Sequence, residues 1–196
     1  MKTGWIVLIV VGFILLFSVM GLIGSYNSLV TKQEGVNSAW SQVENVYQRR
    51  SDLIPNLVNT VQGYANFEKS TLTAVIEARA KATSTTIDAR NLTPEKLQAF
   101  QANQGGLSSA LGKLMVVVEK YPDLKANQNF LDLQSQLEGT ENRIAVERKN
   151  YNEVSQSYNT SRRSFPTIIT AGVFGFDEKP YFKADEGSNK APQVKF

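Results

Sequence analysis

The side chains best placed to do chemistry in this chain fall into two charged groups. Arg49, Arg50 and Asp52 crowd the approach to Pro55, and Glu141, Arg143, Glu147 and Arg148 recur at helical spacing. Paired carboxylates do general acid and base work only inside a pocket, and no stretch of this sequence announces one. The chain has no cysteine and no histidine, which removes the thiolate nucleophile, the commonest metal ligand and the side chain that titrates near neutrality. No serine lies in a nucleophile-elbow pattern. The expectation is therefore a protein that is not an enzyme and needs no cofactor or metal. Both charged groups read first as helix faces: the second pairing along one helix for a few tenths of a kcal/mol per pair, the first tying a helix to a neighbour or to another protomer where a proline frees a backbone carbonyl.

The elements that position these groups begin with a membrane segment. No formal charge lies between Lys2 and Lys32, and Trp5 to Ile23 is almost continuously apolar, about the 20 residues that cross a bilayer core as a helix. A cleavable signal has a shorter apolar core and a small-residue cleavage site. The reading is a short N-terminus (1–3) and a retained single-pass anchor (4–25) in contact with membrane lipids. Lys2 and the terminal amine, set against Lys32 beside Glu34, lean towards an N-terminus inside. The rest of the chain, about 165 residues, is one domain's worth. With 21 Lys and Arg against 18 Asp and Glu, and with basic pairs scattered at Arg49-Arg50, Arg148-Lys149 and Arg162-Arg163, nothing points to nucleic acid.

Apolar periodicity shapes the body (26–165) as all-α, an antiparallel and coiled-coil-like helical bundle. Val36, Trp40, Val43, Tyr47, Ile54, Leu57, Val61, Tyr64 and Leu72 keep steps of three and four, the seam of a packed helix. The phase survives Pro55, which leaves one helix kinked there, running as far as Ala80, or two helices broken there. Thr93 as N-cap, Pro94 at the first helical position and Glu95 in the first turn open the next helix, whose seam is Leu97, Phe100, Gln104, Leu107, Leu111, Leu114, Val118 and Tyr121. Gly105-Gly106 interrupts it, which predicts a bend or a close helix approach. Tyr121-Pro122-Asp123 stops that helix. Phe130, Leu137, Ile144, Tyr151, Tyr158 and Phe165 then recur every seven residues, a coiled-coil-like contact, with Tyr26-Asn27, Tyr151-Asn152 and Tyr158-Asn159 expected to make amide hydrogen bonds within the bundle. Phe165-Pro166 ends the last long helix, and the tail (166–196) is expected to dock on the bundle or on a neighbour.

Several of these segments carry a resemblance. Tyr26-Asn27-Ser28-Leu29-Val30, Arg49 to Val58, Gly63-Tyr64-Ala65, Glu119 to Ala126, Thr140 to Ala145, Tyr151-Asn152, Phe174-Gly175-Phe176 and the Pro-x-Val-x-Phe ending resemble, in order, the LemA family of bacterial membrane proteins. The resemblance implies one N-terminal transmembrane helix and a four-helix, up-and-down bundle without established enzymatic activity. It also implies a bundle on the cytoplasmic side, against the lean of the flanking charges. Some relatives are associated with bacterial membrane organelles. Phe67, where relatives commonly carry histidine, and Gly105-Gly106 depart from the pattern.

Two functions are expected on these grounds. The first is a membrane-anchored scaffold that self-assembles as a homo-oligomer through seams longer than its own bundle covers, and that organises or remodels the membrane. The alternative is an adaptor or regulator of a membrane protease or signalling enzyme, with the tail as docking peptide. The residues expected to carry contacts are Tyr26 and Asn27 after the span, Arg49, Arg50, Asp52, Pro55 and Asn56 around the proline, and Tyr121 and Pro122 at the next turn. On the last long helix they are Glu141, Arg143, Tyr151, Asn152 and Tyr158. In the tail they are Phe174, Phe176, Phe182 and Phe196.

Overall fold

The computed structural model describes residues 2–63, 68–85 and 87–183. Tyr64 of the first seam, Phe67 and the contact residue Phe196 lie outside the described residues.

Helix α1 (Lys2–Gln62) carries the apolar run and the first bundle helix without interruption over 61 residues, about 90 Å at 1.5 Å per residue. It passes Pro55 as one helix, so the two-helix reading falls. The reason is visible at the carbonyl that Pro55, lacking an N–H, leaves unbonded four residues back. Ser51 O accepts the Nε–H of Arg79 at 2.9 Å, and the ring of Pro55 itself faces outward. Nor does the helix reach Ala80. It stops at Gln62 before a turn at Gly63, and α2 (Lys69–Ser84) runs back along it. Leu72 thus lines the same core from a different helix.

A single 3-10 turn (Ala89–Asn91) leads to α3 (Pro94–Val118), opened as expected by Thr93, whose hydroxyl accepts the Lys96 N–H at 3.3 Å. Gly105 and Gly106 interrupt nothing: α3 is continuous, both glycines are exposed, and a Cβ at either would meet no atom within 4 Å. The expected close approach is absent because these positions sit on the outer face. One turn, α4 (Pro122–Lys125), separates α3 from α5 (Gln128–Arg163), which Asn127 caps by accepting the Phe130 N–H at 3.1 Å. Helix α6 (Thr167–Phe174) ends at Gly175, whose φ of 69° is left-handed and suits glycine as a helix stop.

Contacts fix the directions. Lys32 Nζ meets Ser157 Oγ at 2.9 Å and Arg50 meets Glu141 at 2.6 Å, so α5 is antiparallel to α1. Trp40 and Tyr47 pack on Phe100, and Arg50 reaches Gln104, so α3 runs with α1. Together α1, α2, α3 and α5 form an up-and-down four-helix bundle.

The core divides in two along this bundle. A proximal cluster, nearer the apolar end of α1, gathers Leu29, Val36, Trp40, Val43 and Tyr47 with Phe100, Ile144, Tyr151, Tyr158, Phe176 and Phe182. A distal cluster gathers Ile54, Leu57 and Val61 with Leu72, Val75, Leu107, Leu114, Val118, Phe130 and Leu137. The described seam residues of α1 are therefore covered within the chain, as are those of α3 apart from half-buried Tyr121. Along the described seams no apolar edge is left uncovered, because α2 and residues 176–183 occupy it. Phe165 leaves the heptad pattern: it lies beyond the end of α5 and is 82% exposed.

Candidate interaction sites

Arg50 and Arg49 are adjacent, so a helix turns them about 100° apart, and only Arg50 faces the bundle. Its guanidinium is buried. Nη1 donates to Glu141 Oε1 at 2.6 Å and Ser108 Oγ at 2.8 Å, and Nη2 donates to Gln104 Oε1 at 2.6 Å. It also lies 5.1 Å from the centre of the Tyr47 ring. Gln104, the polar member of the α3 seam, passes its own Nε2–H to Ala82 O at 3.2 Å. One forked side chain thus ties α1 to α3 and α5, and through Gln104 to the end of α2, where the planar donor set of arginine is needed. Glu141 is drawn here rather than along its own helix. Arg49, Asp52, Asn56 and Arg143 face solvent, and Asp52 accepts from Gln48 at 2.8 Å.

The second constellation holds the tail. After Gly175 the chain runs extended along α5, against its direction. Tyr158 OH donates to Asp177 O at 2.9 Å, and Tyr151 OH to Pro180 O at 3.1 Å. Asn159 pairs with both backbone groups of Lys179, donating to its carbonyl at 2.8 Å and accepting its N–H at 3.0 Å. Asn152 does the same to Phe182 at 3.0 and 2.8 Å. The repeat has a physical basis: seven helical residues rise about 10.5 Å, which matches three extended residues at about 3.3 Å each. The Tyr-Asn dipeptide that recurs after seven residues in α5 therefore meets a backbone that recurs after three. Phe182 fills the space beside Trp40, 5.9 Å away and stacked, and Arg148 covers its other side at 5.1 Å.

Burial leaves its mark on three ionisable groups at this seam. It pushes the Tyr151 hydroxyl up to about 12 and raises that of Tyr158. It lowers the Lys179 ammonium, which is 3% exposed and rests against the carbonyls of Ala89 and Arg90 at 3.3 and 3.4 Å. Removing a charge from water disfavours the charged form in each case.

Of the other expected contact residues, Tyr26 meets the rings of Phe174 and Phe176 at 4.9 and 5.6 Å. Asn27 is exposed and gives its carbonyl to Thr31, Tyr121 packs half-buried on the distal cluster, and Pro122 opens α4. Sequence reasoning overlooked Arg79 and Lys179. Arg79 carried a signal, since it continues the stripe of Leu72, Val75 and Ala82 and a charge on an apolar stripe asks for a buried acceptor. Lys179 carried none.

Among the described residues no three metal-ligating side chains come together, and the Arg50 guanidinium, Gln104 and the Tyr-Asn pairs of α5 bond to the chain's own elements. Residues Trp5 to Ile23 are almost continuously apolar, continuous with the bundle and uncovered by it, long and apolar enough as a helix to cross a membrane. The class is a membrane-associated, all-α helical bundle. Within it the chain belongs to the LemA family, whose sequence profile matches residues 39–196. It is similar to "Magnetosome protein MamQ 2" of Paramagnetospirillum magneticum, with 29% identity over 83% of this chain and 66% of the relative. It is also similar to "Protein LemA" of Metamycoplasma hominis, with 27% identity over 84% of this chain and 71% of the relative. "Magnetosome protein MamQ" of Magnetospirillum gryphiswaldense matches at 28% identity, over 82% of this chain and 65% of the relative. The chain thus spans just under two thirds of the length of these MamQ relatives.

Proposed function

We propose that this protein is a single-pass, membrane-anchored scaffold that assembles with copies of itself and organises or remodels the membrane that holds it. On this reading residues 4–25 are the membrane segment and 26–165 the bundle. The observation that carries it is the continuity of α1: no linker separates span from bundle, so the orientation of one sets that of the other. A rod fixed at its foot transmits a tilt at any side contact to the bilayer, which a tethered domain does not. Confinement to a surface raises effective concentration, so weak side contacts suffice. With the helix seams covered, these contacts belong to outer faces, where Ile76, Val116, Leu131 and Val146 stand exposed on three different bundle helices. That two relatives are named for the magnetosome is in keeping with a role at a shaped membrane.

The test is mass and shape of the full chain in mild detergent, by light scattering and electron microscopy of the same fraction, with cross-linking in native membranes. A discrete multimeric particle is expected. Monomer alone in both experiments overturns the proposal and returns the burden to a heterologous partner. The adaptor alternative has lost part of its basis, since residues 176–183 are already engaged by α5.

A further inference from the structure

The one large apolar surface outside the span, among the described residues, is on α6. From Ser164 to Phe176 the chain has no charged residue. Thr170 and Ala171 are buried, the latter in the proximal cluster. On the opposite side Ile168, Ile169 and Val173 are 50, 52 and 73% exposed; Phe165, just before the helix, is 82% exposed, and Phe174, on the side that meets Tyr26, is 57% exposed. Ile169 and Val173 stand one helical turn apart with Ile168 beside them and form one stripe, and Phe165 stands exposed just before its first turn. Isolated exposed apolar residues need no explanation, but a contiguous patch marks an interface.

Its height on the rod says what covers it. Lys32 faces Ser157, so in an antiparallel pair Arg162 stands level with Asn27, directly past the apolar run that ends near Ile23. The chain leaves α5 at Arg163, so Phe165 lies on the span side of that level, and α6 brings Phe174 back to the ring of Tyr26 at 4.9 Å. Helix α6 therefore lies beside α1 where the span meets the bundle, its apolar face continuous with the lipid-facing surface of α1. Tyr26, an aromatic with one polar end, and exposed Arg163 suit the headgroup layer that flanks a bilayer core.

We propose that α6, with Phe165, is a second membrane-contacting element: a short interfacial helix whose Ile168, Ile169, Val173 and Phe174 enter the headgroup and upper acyl region of the leaflet from which the bundle emerges. This rests on α1 spanning the membrane. Such a helix is a foot that splints the rod against tilting and displaces lipid on one leaflet only, on one side of each span, which is the asymmetry a curvature-generating element requires.

The absence of native cysteine makes the test direct. Nitroxide labels are placed on the full chain at single sites, Ile9→Cys, Val173→Cys and Val146→Cys, in phosphatidylethanolamine and phosphatidylglycerol vesicles. Power saturation then compares oxygen with a water-soluble nickel chelate. The ratio of oxygen to nickel accessibility is expected to be highest at Ile9, several-fold above Val146 at Val173, and lowest at Val146. A water-like Val173 beside a lipid-like Ile9 overturns the interfacial helix and leaves the anchor standing. Low accessibility of Val173 to both oxygen and nickel, with dipolar broadening that disappears on dilution with unlabelled protein, also overturns it and assigns the patch to a second copy. A water-like Ile9 overturns the spanning reading itself, and the inference with it.

Discussion

The proximal and distal halves of the bundle share α1 and α5 but are closed by different means. In the distal half α2 lies down as a helix, and because a helix satisfies its own backbone it has to offer only an apolar face: Leu72, Val75 and Ala82 meet a largely aliphatic core. In the proximal half the closing element is the extended segment 176–183, whose amides and carbonyls have no partners of their own. A buried backbone group without a partner costs about as much as a lost hydrogen bond, so α5 has to supply polar side chains there. Tyr151, Asn152, Tyr158 and Asn159 do so, and the core between them is aromatic, since rings fill the wider gap beside an extended chain. The kind of element that closes a bundle thus dictates the chemistry of the helix beneath it.

The comparison breaks most severely if the proximal closure is removed. A chain ending at Phe174 loses Phe176 and Phe182 from the core and is expected to lose on the order of 5 kcal/mol or more. Hydrogen exchange of the detergent-solubilised protein then shows amides around Trp40 and Tyr151 opening while those around Leu57 and Leu114 stay protected. Equal loss in both halves would mean that they are one cooperative unit. Next comes the joint between the halves. Arg50→Met strands buried Gln104, while Glu141, 43% exposed, turns to water, and the substitution is expected to cost about 2–3 kcal/mol in denaturant titrations. Arg50→Lys recovers less than half of this, because an ammonium does not fork to both acceptors.

Smaller effects separate the two closures. Asn159→Ala leaves two buried backbone groups of Lys179 unpaired and is expected to cost about 2 kcal/mol, felt only in the proximal half. In the distal half Arg79→Ala orphans Ser51 O and is expected to cost about 1 kcal/mol. That cost shrinks in a Pro55→Ala background, where the new N–H of residue 55 takes the same carbonyl, so a double-mutant cycle reads the coupling directly. The mildest perturbation is alkaline. Tyr151 ionises near its ordinary value of 10 when unfolded and near 12 when folded. Its neutral form is favoured by the fold, so the stability it contributes is complete below pH 10 and is lost as pH rises towards 12. Thermal melts of Tyr151→Phe should be flatter across that window than those of the parent, with the proximal half opening first in the parent.

Much of this architecture was legible because its signals are local. Steps of three and four marked the inner faces of α1 and α3, and Thr93-Pro94-Glu95 announced the start of α3 through the groups that satisfy a helix's first amides. The illegible parts depended on what lies opposite. Phe165 kept the heptad spacing, yet spacing does not reveal that α5 has already ended. Gly105-Gly106 read as a point of approach and proved to be open surface. Arg49 and Arg50 were indistinguishable as a basic pair, and only the position of Gln104 and Glu141 across the bundle assigns one to the core and the other to water. The apolar seams were visible, whereas their cover was not.

By itself, then, the sequence determined that this chain is helical, that one end of it is apolar enough to cross a membrane, and which faces of its long helices seek company. These are properties of residues a few positions apart on one element, set by side-chain type and a 3.6-residue period. Only the tertiary structure decided that the company is found within the chain, that α1 continues through Pro55 with Arg79 taking the carbonyl left free there, and that an extended tail closes one half. Those outcomes depend on register between elements distant in sequence, which no local period encodes.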